Sequence, residues 1–273
     1  METSAQQPGS SQQENCSWVE EVYRAYSQLS SAFVLDREQG MGGSLVYAGQ
    51  LSADRGPSPA DAWTADAWTA DAWIAAANIA GAATLAAAPT PESQRRAMRD
   101  ALVDFVVNSM EEALRILKNE IRQRRAVSVA VAVSREHLLE EMLKHGVQPE
   151  AISAEAMHAL QHVRMQGLQH SRVLETPRRT AGVFVSWLRG SCCTQKQDGA
   201  EAAALEIAAD PMRQRWLRLA PRYLGRAAQR RMGVALSPQE AARWHQLTAA
   251  DSLPGGKLVE PAGEGSHTEA CLR

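Results

Sequence analysis

Seven arginines recur at steps of one to four residues between positions 213 and 231, and no acidic residue stands between Asp210 and Glu240. Arg215, Arg218, Arg222, Arg226 and Arg230 fall on one stripe if helical geometry continues past Pro221. Trp216 and Tyr223 lie among them as candidate anchors for a partner. Guanidinium groups so arranged can grip carboxylates or phosphates through bidentate forks. The same stripe could meet nucleic-acid phosphates, or be a solvated face paired with an acidic helix around Glu201 and Glu206. A second candidate is Asn78-Ile79-Ala80-Gly81-Ala82-Ala83, read as a small-residue turn between a strand and a helix. Backbone N–H groups at such a turn, around Asn78 and Gly81, could approach the phosphate of a nucleotide cofactor. Only one glycine is present there, against three in the dinucleotide fingerprint.

Other groups carry less. His158 and His162 share a helix face, but no Glu follows His158, so the zinc-protease pattern is missing. Cys16, Cys192, Cys193 and Cys271 have neither zinc-ligand spacing nor the look of a disulfide framework. No metal site is expected, and the catalytic residues, if any, stay unassigned. Asp-Ala-Trp occurs at 61–63, 66–68 and 71–73. A period of five matches neither helix nor strand, so the repeat reads as a low-complexity surface loop or a Trp-rich motif for a partner.

The 273 residues have a formal net charge of −2, so the whole chain is no general polyanion binder. Nucleic acid is thus the less favoured partner. Hydrophobic residues make up 45%, but 47 residues are Ala, so the core is smaller than that figure implies. Arg outnumbers Lys by 25 to 4, which points to a GC-rich, bacterial genome. No apolar run is long enough to span a bilayer, and Met1–Asn15 lacks the apolar centre of a secretory signal. A cytoplasmic location is expected, with no membrane partner.

The elements that must position these groups are clearest in the middle of the chain. Ser17-Trp18-Val19-Glu20 opens a first helix with Val19, Val22, Tyr23, Tyr26 and Leu29 on one face. Residues 44–48 and 73–77 read as strands. Thr90-Pro91 starts a helix, Phe105-Val106-Val107 is a short strand, and Ser109 caps the next helix. Residues 126–133 form a buried strand, Ser134 caps a helix that Gly146 ends, and Ala151-Ile152 forms another strand. Beyond, 154–170 reads as helix and Gly182–Leu188 as the strongest C-terminal strand. Asp210-Pro211 starts a helix, Gly233 ends the next, and Ser237–Glu240 caps the last. The fold class is α/β: a small parallel sheet with helical crossovers and extra helices at both ends. An all-α fold is the alternative, with residues 91–125 fused into one helix. The expected organisation is a disordered tail at 1–15 and an α/β core at 16–190 with a loop at 49–72. A helical region at 200–250 and a disordered tail at 251–273 follow, and 190–199 also reads as poorly ordered.

Lys144-His145-Gly146-Val147-Gln148-Pro149-Glu150, behind an apolar strand and a helix, resembles the Rossmann-like segment of urocanate hydratase. There a strand and helix lead into R-G-x-x-P-D. Gly146 and Pro149 match, and Glu150 stands for the Asp. The resemblance covers 126–158 and implies an α/β fold with NAD nearby. Where the family continues D-Q-T-S-A-H-D near substrate and NAD, this chain reads Ser153-Ala154-Glu155-Ala156-Met157-His158. No catalytic residue carries over. Two functions are therefore expected: a non-catalytic binding or accessory protein acting through the Arg stripe, or a diverged lyase-like enzyme. The latter would use NAD or another nucleotide at 78–83.

Overall fold

The computed structural model describes residues 10–33, 40–53, 70–153, 171–174, 182–189, 194–224 and 231–250. Six parallel strands make the main sheet: β1 (Leu45–Gln50), β2 (Ala83–Ala87), β3 (Phe105–Val107), β4 (Ser128–Val131), β5 (Ala151–Ser153) and β6 (Arg172–Leu174). Their order is β3-β4-β2-β1-β5-β6. The fold is therefore α/β, as expected, and not all-α.

Side chains alternate across this sheet. Leu45, Tyr47, Leu85, Val129, Val131 and Ile152 point to one face, where they meet α4 (Met110–Arg122) and α5 (Arg135–Lys144). The opposite face carries Val46, Ala48, Ala86, Ala88, Ala130 and Ala151. There the sheet meets α2 (Ala70–Ala80), itself alanine-rich, and α3 (Pro91–Arg99) contributes Ala97. Small residues on both sides let α2 lie close to the strands. Much of the alanine excess is thus spent on a thin, tightly apposed layer, not on surface.

Helix starts in the middle of the chain follow their caps. The Thr90 side chain accepts from the Ser93 N–H at 3.1 Å. Ser109 accepts from Glu112 at 3.3 Å and Ser134 from His137 at 3.2 Å. Each satisfies an N–H that the helix leaves orphaned.

Helix α1 (Ser10–Ala32) buries Val19, Val22, Tyr23, Tyr26 and Leu29 on one face, as read. It starts well before Ser17, so the capping pattern lies inside the helix and 10–15 is not a tail. A second, antiparallel sheet pairs β7 (Val183–Leu188) with β8 (Arg231–Leu236). Between them run α6 (Thr194–Ile207) and α7 (Pro211–Tyr223), and α8 (Pro238–Ala250) follows. The C-terminal region is therefore not purely helical. Gly233, expected to end a helix, sits inside β8, where an added Cβ would meet the Phe184 ring at 2.6 Å. Helix α6 begins at Thr194, inside the stretch read as poorly ordered. Helix α1 and the elements from β7 to α8 join one apolar core with α2. Residues 1–9, 154–170 and 251–273, with the expectations placed on them, lie outside the described residues.

The third Asp-Ala-Trp is core, not loop. Asp71, Ala72 and Trp73 open α2 and are all buried. The first two copies lie outside the described residues. The expected strand at 73–77 is the interior of α2, and every residue of that helix is buried. A helix buried on all sides shows no 3.6-residue stripe of exposed polar residues, which is why it reads as a strand.

Four helices end in paired bonds that require a left-handed residue. After α4, Arg125 N–H donates to Glu120 O at 2.9 Å and Arg124 N–H to Ile121 O at 3.0 Å. Arg124 holds φ +56 there, whereas the equivalent position after α5 is Gly146, at φ +65. An L-side chain in this region costs roughly 1–2 kcal/mol, partly offset in Gly by unfolded-chain entropy. Arg124→Gly should therefore stabilise by up to about 1 kcal/mol and Gly146→Ala should destabilise by about as much. Urea midpoints of the two variants check the opposite signs.

Candidate functional site

The turn at 78–83 is not a strand-to-helix turn. It is the C-terminal end of α2 leading into β2. Ala82 N–H donates to Ala77 O at 2.9 Å and Gly81 N–H to Asn78 O at 3.0 Å. Gly81 holds φ +98 and is the glycine that closes the helix. The end carrying carbonyls has partial negative charge, so it repels a phosphate. Met41 N–H donates to Ala80 O at 2.7 Å and Arg215 Nε to Ile79 O at 3.0 Å, which covers this end with donors. Asn78 is buried, and its Oδ1 has no hydrogen-bond partner among the described residues. Asn78 and Gly81 thus stand at the carbonyl end of a helix, not at the N–H end that a cofactor phosphate requires.

The first strand-to-helix connection in this sheet is β1 to α2. The chain leaves β1 toward β2 but leaves the neighbouring β5 toward β6, and ligands of open α/β sheets sit at such a divergence. At this end β1 reads Ala48-Gly49-Gln50. Gly49 holds φ +109, and an added Cβ would come 3.5 Å from Ser153 Oγ on β5. Ser153 Oγ donates to Ala48 O at 3.2 Å, tying the two strands together.

NAD, which the urocanate hydratase resemblance implies, is not matched by these residues. Between 51 and 69 the sequence has a single glycine, Gly56. The first turn of α2 carries Asp71, a fixed anion where a pyrophosphate needs positive charge. Its carboxylate accepts Arg96 Nη1 at 2.6 Å and Nη2 at 2.9 Å, and Arg96 Nε donates to Ser52 O at 3.0 Å. After β2 come Ala88, Pro89 and Thr90, so no carboxylate stands where a ribose hydroxyl would be read.

The arginine stripe is divided by the fold. Arg213 forks onto Glu240 at 2.8 and 2.9 Å and also bonds Asp210, the cap of α7. Arg215 covers the end of α2. Trp216 is fully buried and donates Nε1–H to Gly233 O at 2.7 Å, so it is core and not an anchor. Tyr223 is half-buried against the core, with the Arg222 guanidinium 5.3 Å from its ring centroid. Arg218 and Arg222 are exposed, one turn apart, and neither forms an ion pair with a described residue. Arg226 and Arg230 lie outside the described residues, and Arg231 is buried in β8. Arg189 bonds Glu201 and Arg243 bonds Glu206, so those acids are taken by arginines outside the stripe.

The hydrogen bond from Arg213 holds the Glu240 carboxyl down at about 2. A depressed folded-state value gives stability that is present above the unfolded value and lost as pH falls toward 2. Glu240→Gln should therefore lower stability at neutral pH and leave it nearly unchanged near pH 2, which urea unfolding at the two pH values measures.

A family model described as the urocanase Rossmann-like domain matches residues 70–169. The match begins at α2 and covers α2 through β5, so it excludes β1 and the C-terminal layer. No curated protein sequence matches the chain. No helix of the described residues is long and apolar enough to cross a membrane. Over 70–169 the chain is similar to the urocanase Rossmann-like domain, a wider likeness than the 126–158 segment read from sequence.

Proposed function

We propose that this chain is a non-catalytic, cytoplasmic binding or accessory protein, with a Rossmann-like sheet as scaffold and α7 as its partner surface. The observation that supports this reading is the exposed pair Arg218 and Arg222, both without an acidic partner among the described residues. Two guanidiniums a turn apart suit a carboxylate-rich protein surface or another anionic ligand. A pair of cations on a chain of net charge −2 is a thin footprint for nucleic acid.

The test is retention of the full chain on immobilised polyglutamate at low salt, beside its Arg218→Glu/Arg222→Glu variant. Retention that the reversal abolishes, with an unchanged melting curve, is expected. Equal retention of both proteins overturns the reading. The enzymatic alternative needs a nucleotide, and its proposed turn is the closed end of α2. A hundredfold excess of NAD over a true dissociation constant would add about 2.7 kcal/mol of stability. Such a shift would favour the enzyme, and none is expected.

A further inference from the structure

Away from both surfaces, α4 and α5 bring three metal-ligating side chains together. Glu111 lies in the first turn of α4, and Glu141 and His145 lie one turn apart at the end of α5. His145 Nε2 is 3.4 Å from Glu111 Oε1 and 3.4 Å from Glu141 Oε2. One donor atom from each of the three lies within 4.8 Å of the others. We propose that Glu111, Glu141 and His145 form a binding site for a divalent transition-metal ion of the zinc class.

Both 3.4 Å contacts have the spacing of ion pairs when the imidazole is protonated, and with a neutral imidazole the same three donors face one another with room for a cation. Two ligands bound to one ion at about 2.05 Å in tetrahedral geometry stand about 3.3 Å apart. The His–Glu separations are close to that edge length, and bringing the two carboxylates to the same spacing completes three corners. The Glu141 carboxylate also meets Lys144, whose Nζ donates to Oε1 at 3.0 Å and to Oε2 at 3.4 Å, while Oε2 faces the histidine.

The donor set also selects the ion. One imidazole and two carboxylates suit zinc, manganese or iron better than magnesium or calcium, which prefer oxygen alone. Three protein ligands leave a fourth position open, the arrangement of a catalytic or exchangeable site and not a closed structural one. A cavity of about 230 Å³ is lined by two of the three, Glu111 and Glu141, with Asn108, Ser109 and His137 among others. It lies beside β4 and the first turn of α4. Glu141-x-x-x-His145 was the only trace in sequence, and its third ligand lies on another helix.

The experiment titrates the full, chelator-treated chain with Zn²⁺ and with Co²⁺ by calorimetry and visible absorption. Glu141→Gln and His145→Gln are compared with the parent, and each is checked by circular dichroism. One ion per chain is expected, with a Co²⁺ spectrum free of a thiolate charge-transfer band. At least about tenfold weaker binding is expected in each variant. No saturable binding of either ion overturns the proposal. So does a thiolate band, or a folded pair of variants that bind as tightly as the parent.

Discussion

Replacing Arg96 by methionine is expected to lower the unfolding free energy by about 3–5 kcal/mol, the usual cost of leaving one member of a buried pair uncompensated. The Arg96 and Asp71 side chains are 3% and 6% exposed, and they meet through two bonds of 2.6 and 2.9 Å. Their removal from water is already counted in the folded state, so a lone Asp71 carboxylate would have no solvent to turn to. Arg96 also holds Ser52 O, the residue after β1 and its short continuation, so its loss frees that chain end as well. Asp71→Leu combined with Arg96→Met should recover most of the loss, because a buried pair exchanged for apolar groups of similar volume is often neutral. Urea unfolding of the two single variants and the double variant supplies the cycle, provided the denaturant slope stays constant. A loss below about 1 kcal/mol for Arg96→Met would put the pair with ordinary surface bridges and remove it as the pin of the third repeat.

The same pair shows where sequence reading stops. Asp71 belongs to a tandem repeat whose period fits no element, so nothing in the local pattern marks it as core. Its partner lies beyond a strand and a turn. The stretch from Thr90 to Ser153 was legible because each helix there has a polar face, an N-cap and a short apolar strand on either side. Helix α2 has no exposed face, since the sheet covers one side and α1 and α7 the other. Alanine also carries too little bulk to signal a stripe. β8 reads Arg-Met-Gly-Val-Ala-Leu, which gave a helix end on the strength of one glycine. That glycine is required by the Phe184 ring across the strand pair, a partner far off in sequence. Of the arginine stripe, periodicity gave the spacing on α7 but not the choice of partners. Arg213 and Arg215 were drawn inward by Glu240 and by the end of α2, and neither lies within a turn of them in sequence.

Trp216 separates the two meanings of that stripe. As an exposed anchor, its removal would abolish partner binding and leave stability within about 0.5 kcal/mol. In this fold Trp216→Ala should instead cost about 3–5 kcal/mol, the range for truncating a large buried aromatic. Three contacts carry that expectation. The indole stands edge-on to the Tyr23 ring at 5.0 Å and tilted to Tyr26 at 5.4 Å, so α1 and α7 are joined through it. Its Nε1–H reaches Gly233 O at 2.7 Å, which ties α7 to β8. Trp216→Phe keeps the ring contacts but leaves the Gly233 carbonyl without this donor, and should cost about 1–3 kcal/mol. The ordering of alanine below phenylalanine below tryptophan in urea midpoint, with polyglutamate retention unchanged in Trp216→Phe, is the result expected of a core residue beneath a binding face. A stable Trp216→Ala that no longer binds would return the tryptophan to the surface and overturn this placing of α7.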